Sequence, residues 1–132
     1  MSVLGIDWGE RKLGFAISHD PAWAFPLRAL RVRGFTDAIE QIQAIVIEEK
    51  VDCIALGLPL GMDGKDTLQT SRVREIAADL GGIVNVPVEL IDERLTTQTA
   101  VRQREDQTAK VPDDLGAAVA ILQTYLNLHQ PV

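Results

Sequence analysis

The chain has 132 residues, of which 46% are hydrophobic and 24% are charged, which is the composition of one ordinary globular domain spanning residues 1–132. It has no apolar run of membrane-spanning length and only one cysteine, Cys53, which argues against a membrane protein or a disulfide scaffold and favours a cytoplasmic location. The formal net charge of −6 argues against a protein that coats nucleic acids unspecifically, but it leaves room for a nuclease with clustered basic residues.

Three strands are predicted at the start of the chain. The apolar run over residues 3–6 ends at Asp7, and a second apolar stretch follows a glycine-containing turn and continues to Ser18. Residues 21–26 include two prolines and are predicted to be irregular, whereas residues 27–32 alternate apolar residues with arginine, as a strand with one solvent-facing side does. A helix capped by Thr36 is then predicted to run to about Glu49.

Strands and helices alternate in the rest of the chain. Residues 52–58 form a nearly continuous apolar run, which predicts a central strand buried on both faces. The other predicted elements are a loop over residues 59–66, a helix over 67–80 closed by two glycines, a strand over 86–91, a short helix from Thr96 or Thr97 to about Arg104, a loop over 105–111 and a last helix starting at 112–114. The order β-β-β-α-β-α-β-α-α predicts a ribonuclease H-like α/β fold, with a mixed five-stranded sheet and helices on both faces.

Acidic residues stand at the ends of three predicted elements that this fold brings to one edge of the sheet. Asp7 ends the first strand, Asp92 and Glu93 follow the last strand, and Asp113 and Asp114 begin the last helix. A carboxylate at the end of a buried strand costs free energy unless it is hydrogen-bonded, paired or bound to a metal. Several carboxylates together with a substrate phosphate suit Mg²⁺ or Mn²⁺, which predicts a metal-dependent nuclease.

Each acidic residue also has a purely structural interpretation. Asp7 could start a turn by bonding to the backbone at Gly9. Asp113 is a natural helix N-cap, and Asp114 favours the positive end of the helix dipole. Because side chains alternate along a strand, only one of Asp92 and Glu93 is expected to point toward the site, and the periodicity does not say which.

Five basic residues are candidates for contacts with a nucleic-acid backbone. Lys65 lies in the glycine-containing loop over residues 59–66, at the edge of the sheet where loops commonly line ligand sites. The others are Arg11, Lys12, Arg72 and Arg94. For the loop, a plain tight turn at residues 62–64 is the competing interpretation, and an isolated basic residue is more often a solvated charge.

Four sequence motifs occur in order over almost the whole chain. They are Gly5-Ile6-Asp7-Trp8-Gly9 with Gly14, Gly57-Leu58-Pro59-Leu60 with Met62-Asp63-Gly64, Asp92-Glu93-Arg94-Leu95-Thr96-Thr97, and Asp114 followed by Ala117-Ala118-Val119 and Ile121-Leu122. In this combination the chain resembles the YqgF family, whose members are also called RuvX or Holliday junction resolvases. Trp8 differs from the Phe or Tyr more usual in the family, and the segment over residues 105–111 is shorter than in many members.

The resemblance implies a ribonuclease H-like fold and a metal-dependent nuclease related to the RuvC resolvase. It implies Asp7, Glu93 and Asp114 as the catalytic, metal-binding carboxylates, with Asp92 and Asp113 as possible additional acidic residues. It also implies a nucleic-acid substrate and a role in maturation of the 5′ end of the pre-16S ribosomal RNA, with cleavage of branched DNA as the alternative.

Two further interpretations stay open at this point. The Asp-x-Gly pattern after a strand also resembles the first phosphate loop of actin-like ATPases and sugar kinases, which close two such lobes over ATP, whereas this chain provides one. A non-catalytic module that binds RNA or protein factors would explain the acidic charge and would need no metal. Because a single-site nuclease acts as a monomer and symmetric junction cleavage calls for a dimer, a monomer or a weak homodimer is expected.

Overall fold

The described secondary structure follows the predicted order of elements up to the fifth strand and again in the last helix. The computed structural model describes residues 1–20, 22–96 and 115–129. The described elements are β1 (Val3–Asp7), β2 (Lys12–Asp20), β3 (Trp23–Arg31), α1 (Phe35–Glu48), β4 (Cys53–Leu58), α2 (Leu68–Val84), β5 (Val88–Asp92), a 3₁₀ turn (Glu93–Leu95) and α3 (Gly116–Leu128). None of the helices in these ranges is long and apolar enough to cross a lipid bilayer.

The described strands form one sheet in the order β3-β2-β1-β4-β5. β1, β2 and β3 form an antiparallel meander, whereas β4 pairs parallel with β1 and β5 pairs parallel with β4. The C-terminal ends of β1, β4 and β5 therefore lie together at one edge of the sheet, which we call the carboxyl edge. In open sheets with parallel strands, ligands commonly bind at this edge.

Different helices cover the two faces of the sheet. Ile42 of α1 and Ile76 of α2 pack on one face with Ile6 of β1. Leu122 of α3 packs on the other face with Val3 of β1. This alternation of β1 side chains between two cores is the period-two pattern of a strand buried on both faces. The predicted mixed five-stranded sheet with helices on both faces is confirmed.

Helix α3 packs closely on the sheet and runs opposite to β1 and β4. A Cβ added at Gly5 would lie 2.6 Å from the Cβ of Leu122, so the close approach depends on the missing side chain of residue 5. The hydroxyl of Tyr125 lies 3.5 Å from the Sγ of Cys53 at the start of β4, whereas Ile121 lies over Gly57 near the end of β4. The start of α3 is consequently directed toward the carboxyl edge.

Two predictions for the first half of the chain are wrong in detail. β3 already begins at Trp23, and Pro26 is tolerated within it because β3 is an edge strand with a register shift at this point. Thr36 does not cap α1, which begins one residue earlier after Gly34. Gly34 has a φ of 140°, a backbone conformation that glycine adopts more readily than other residues, and no side chain caps the helix there.

The end of α2 also differs from the prediction. The helix starts as expected after Thr67. The side chain of Thr67 accepts a hydrogen bond from the backbone N–H of Thr70, and the side chain of Thr70 accepts one from the backbone N–H of Thr67. It then continues past residue 80 to Val84 and ends at Asn85, which has a φ of 60°. Val84 is buried on the core stripe of the helix, and this burial outweighs the low helix propensity of the two glycines before it.

The extension of α2 delays β5, which begins at Val88 rather than at residue 86. The short helix that was predicted to end at about Arg104 lies, from residue 97 onward, outside the described residues. The loop over residues 105–111 and the helix start at 112–114 lie outside the described residues altogether.

Candidate active site

Asp7 is the last residue of β1 and lies at the carboxyl edge. Its strand neighbours Leu4 and Ile6 point into the core beneath α1 and α2, so alternation places the Asp7 side chain on the α3 face. The carboxylate is half-buried, and this burial raises its pKa above the ordinary value. Water therefore solvates the ionised Asp7 carboxylate only in part, and a nearby positive charge would stabilise it.

Glu93 reaches the same region from the 3₁₀ turn that follows β5. The turn is closed by Thr96, whose backbone N–H and hydroxyl both donate to the carbonyl oxygen of Glu93. Burial raises the pKa of the Glu93 carboxyl, and the negative charges of Asp7 and Asp92 raise it further. The effect of the Asp7 charge on Glu93 indicates that the two carboxylates lie within electrostatic range of each other.

Gly57 provides the space that Glu93 occupies. It is a β4 residue that pairs with Ile91 of β5, and the residue before it, Leu56, pairs with Ile6 of β1. A Cβ at residue 57 would lie 2.8 Å from Oε1 of Glu93. The Glu93 carboxylate can therefore lie over β4, toward Asp7, only because residue 57 is glycine. This role of Gly57 was not predicted from the sequence, although an isolated glycine inside a strand is a recognised signal of close approach.

Asp92 has a different environment from Glu93. Its Oδ2 accepts a hydrogen bond from Nη2 of Arg94 at 2.8 Å, and its Oδ1 accepts from the backbone N–H of Arg94 at 2.9 Å. The hydrogen bond from the Arg94 guanidinium holds the pKa of the Asp92 carboxyl below its ordinary value. Asp92 thus has a cationic partner, while Glu93 faces another carboxylate, and this difference favours Glu93 as the metal-binding member of the pair.

The loop after β4 packs against Arg94. Gly64 has a φ of 80°, and its backbone N–H donates to the carbonyl oxygen of Gly61. The loop therefore contains a tight turn, as its purely structural interpretation predicts. A Cβ at Gly64 would lie 3.0 Å from Nη1 of Arg94. Lys65 follows the turn, is exposed, and donates its backbone N–H to Asp63. The loop and the Asp92–Arg94 pair together support the turn that carries Glu93.

The third predicted acidic position falls beyond the structure described here. Asp113 and Asp114 lie outside the described residues, which resume at Leu115. Leu115 is buried in the same core cluster as Ile91, on the α3 face of the sheet. Within residues 1–20, 22–96 and 115–129, no group of three His, Cys, Asp or Glu side chains could hold a metal ion.

The remaining basic candidates lie around the turn between β1 and β2. Arg11 belongs to this turn, Lys12 begins β2 and pairs with Arg31 of β3, and Arg72 lies on α2. Beside the turn, on the side of α1 and α2, is a cavity of about 590 Å³ that Trp8 and Arg72 help to line. A second, more open cleft of about 450 Å³ adjoins it and includes Arg11. Arg72 thus lies on the opposite side of the sheet from Asp7, whereas alternation along β2 places Lys12 on the same face as Gly14, the residue that pairs with Asp7.

Comparison with known proteins identifies the relatives of this chain. The RuvX family, described as Holliday junction resolvases, matches residues 1–128. A protein of Maridesulfovibrio salexigens named "Putative pre-16S rRNA nuclease" is 41% identical over 133 residues, covering 96% of this chain and 98% of that protein. A protein of the same name from Dictyoglomus thermophilum is 36% identical over 134 residues, covering 96% of each chain.

Among solved structures, RuvC of T. thermophilus in complex with a Holliday junction substrate superimposes with a TM-score of 0.72. The match covers 97% of this chain and 94% of that one, at 16% sequence identity, and it supports the ribonuclease H-like fold alone. The family match and the two close relatives confirm the resemblance that the sequence motifs indicated. The chain belongs to the RuvX family.

Proposed function

We propose that the protein is a metal-dependent nuclease that hydrolyses phosphodiester bonds, and that Asp7, Glu93 and Asp114 are its catalytic carboxylates. The observation that carries the proposal is the convergence of two half-buried carboxylates, from β1 and from the turn after β5, at the carboxyl edge. Relatives that this chain matches over nearly their whole length are named as nucleases, which supports the same reaction class.

The environment of Asp7 and Glu93 fits a divalent cation. Burial raises the pKa of both carboxyls, and the negative charge of Asp7 raises the pKa of Glu93 further. The positive charge of a divalent cation bound between them would stabilise their ionised forms. Arg94 does not supply this charge to them directly, because its guanidinium is hydrogen-bonded to Asp92. Carboxylate oxygens are the ligands that Mg²⁺ and Mn²⁺ prefer. We include Asp114 as the third ligand because in the sequence it lies two residues before the start of α3, and that start is directed toward this edge.

Each residue of the site has a distinct task in this mechanism. When bound, the metal supplies an activated water and stabilises the charge that develops on the leaving oxygen. Asp7 and Glu93 would hold the metal at the carboxyl edge, and the positive charge of the metal would attract the scissile phosphate there. Gly57 leaves the space in which the Glu93 carboxylate lies. The Asp92–Arg94 pair fixes the 3₁₀ turn and so limits the positions that Glu93 can take.

We propose precursor ribosomal RNA as the substrate, in maturation of the 5′ end of pre-16S rRNA, because the most similar relatives named above carry that substrate in their names. Branched DNA is the second candidate, and it is favoured by the family description as Holliday junction resolvases. Symmetric cleavage of a four-way junction needs two catalytic sites, so the junction alternative also requires a dimer of this chain.

The proposal is tested by cleavage of a labelled pre-16S RNA 5′ end, a single-stranded RNA and a four-way DNA junction with Mg²⁺, Mn²⁺ or EDTA. Asp7→Asn and Glu93→Gln remove one charge each, and Asp79→Asn makes the same change at an exposed position on α2 as a matched control. The expected result is metal-dependent cleavage that is lost in the first two variants and retained in the third.

The choice of substrate is read from the same assay. Preferred cleavage of the RNA precursor supports the ribosomal role, whereas preferred cleavage of the junction by a dimeric form supports the alternative. If the folded wild type is inert on every substrate with both metals, the nuclease proposal is wrong and a non-catalytic binding module becomes the better explanation.

A further inference from the structure

A second candidate site lies beside the carboxylates, on the opposite face of the sheet. It is the cavity of about 590 Å³ between the β1–β2 turn, the start of α1 and the start of α2. Trp8 and Phe35 form its aromatic wall, with ring centroids 6.2 Å apart and planes tilted by 42°. Leu68, at the first turn of α2, completes the apolar lining although it is 93% exposed. A large apolar side chain in that position is in contact with solvent unless something enters the cavity.

Polar groups stand at the rim of this apolar lining. Gln69 and Arg72 contribute from the exposed side of α2, and Glu10 contributes from the β1–β2 turn. The Arg72 guanidinium lies 4.0 Å from Glu75, at the limit of a salt bridge, and both side chains are mostly exposed. Such a long, exposed contact contributes little stability, so Arg72 is available to an anionic ligand. The cavity thus combines aromatic faces with a few hydrogen-bonding groups and one cation, as small-molecule and nucleobase sites do.

The cavity continues into a cleft that is rich in arginine. Arg11, Arg31 and Arg33 line this cleft of about 450 Å³, and all three are exposed. The two spaces share Glu10, Val32 and Gly34, so they adjoin each other at the β1–β2 turn. Three cations outnumber the two nearby carboxylates, Glu10 in the lining and Asp37 next to Arg33, so this part of the surface is basic although the chain carries a net charge of −6.

We propose that the cavity binds one unpaired nucleobase of the substrate, stacked against Trp8 and Phe35, while the adjoining phosphates lie along the arginine-lined cleft. The inference rests on the proposed nuclease function and adds how the enzyme selects its substrate. Trp8 directly follows Asp7, and it packs against the core beneath α1 and α2 while Asp7 lies on the other face. One strand crossing the end of β1 therefore contacts both residues. A duplex does not present a free base face, so the cavity favours single-stranded or locally unpaired substrate near the scissile bond.

The stacking contact is measurable without any cleavage. The chain has two tryptophans, so Trp23→Phe leaves Trp8 as the single indole reporter. Asp7→Asn is added to prevent hydrolysis. The probes are a single-stranded RNA, a DNA of the same sequence, and a strand of equal length that lacks all bases, with binding followed separately by anisotropy. Stacking predicts that the two strands with bases quench Trp8 emission and bind more tightly than the abasic strand.

Substitutions identify the groups that contribute. Trp8→Leu is expected to weaken binding of the strands with bases about tenfold or more, with little effect on the abasic strand. Because Trp8 also packs on the core, Arg72→Ala is a second variant at an exposed position, expected to weaken binding and to reduce its salt dependence. Arg28→Ala removes a partly exposed arginine that lines neither space, and it serves as the matched control.

The outcomes separate this inference from the nuclease proposal. If strands with and without bases bind equally and Trp8 emission does not change, the base site is wrong even when cleavage of RNA is normal. If no strand binds, the base site is wrong as well. If Trp8 is quenched by bases but no substrate is cleaved under any condition, the base site is retained and the nuclease proposal fails.

Discussion

Replacement of Gly57 by alanine is expected to impair cleavage far more than it impairs folding. The Oε1 atom of Glu93 lies 2.8 Å from the position that the new methyl group would take. To reach an ordinary contact of 3.4 Å, this oxygen must move by at least about 0.6 Å. A catalytic group misplaced by about 1 Å costs on the order of 100-fold in rate, so we expect a loss of roughly 10- to 100-fold in the initial rate of cleavage.

The expected effect of Gly57→Ala on stability is small by comparison. The methyl group would also lie 2.5 Å from the Cδ1 atom of Ile121, the flexible end of a side chain on α3. Overpacking of this kind costs about 1–3 kcal/mol, and the lower entropy of the unfolded alanine chain offsets about 0.4–1 kcal/mol of it. The free energy of unfolding should therefore fall by about 1–2 kcal/mol in urea unfolding followed by circular dichroism.

A double variant separates the two contacts of the added methyl group. Ile121→Val removes the Cδ1 atom at 2.5 Å and leaves the Cγ1 atom at 3.1 Å, so Gly57→Ala/Ile121→Val relieves the closer contact with α3 but not the contact with Glu93. Relative to Ile121→Val alone, the double variant should fold with little further loss of stability and still cleave slowly. Wild-type rates in Gly57→Ala, or full recovery of cleavage in the double variant, would refute the argument that Gly57 positions Glu93.

Four further predictions follow from the described contacts. Glu93→Gln should remove nearly all cleavage, whereas Asp92→Asn should retain at least about a tenth of it. Asp92 is paired with Arg94 and affects Glu93 only by holding the 3₁₀ turn in place. Initial rates of cleavage at saturating metal test this difference. Gly5→Ala should lower the free energy of unfolding by about 1–3 kcal/mol or more, because its methyl would lie 2.6 Å from a Cβ of α3 and could be accommodated only by moving the helix. Gly82→Ala, which meets nothing within 4 Å, should raise that free energy by up to about 1 kcal/mol in the same urea titration. Burial raises the pKa of Tyr125, the single tyrosine, so the protonated phenol is favoured in the fold, and stability should be full below the ordinary pKa of 10.0 and fall as the pH rises above it. An ultraviolet absorbance titration should then show phenolate forming together with unfolding, and phenolate formation in the fully folded chain would contradict this.

The order of elements could be predicted from the sequence because it depends on local patterns. The apolar runs that became β1 and β4 have the length and turn-forming flanks of buried strands, and the two-sided packing of the sheet follows from their continuous apolar character. The positions of Asp7 and Glu93 at element ends were likewise visible before the structure. Where a long-range contact competes with a local signal, the prediction was wrong. The burial of Val84 carried α2 through two glycines that locally favour a helix end.

The choice between Asp92 and Glu93 could not be made from the sequence for a related reason. Strand alternation predicts that the side chains of Asp92 and Glu93 point to opposite faces of the sheet, but it does not indicate which of these faces also holds Asp7. That face is fixed by the close packing of α3 on Gly5, and the room for Glu93 is fixed by Gly57 on a third strand. The base cavity was missed for the same reason, since Trp8, Phe35 and the start of α2 meet only in the folded chain.

The acidic composition of the chain is compatible with a nucleic-acid substrate because the charges are segregated around the end of β1. Asp7 lies on the α3 face with Glu93, where a bound cation would reverse the local charge. Trp8, one residue later, lies on the other face, next to the cavity that continues into the arginine-lined cleft. Under the two proposals, strand alternation thus places two consecutive residues in two neighbouring sites, one for a metal and a phosphate and one for a base. With only a few cations along the strand, unspecific affinity is low, and productive binding depends on the metal and on an unpaired base together.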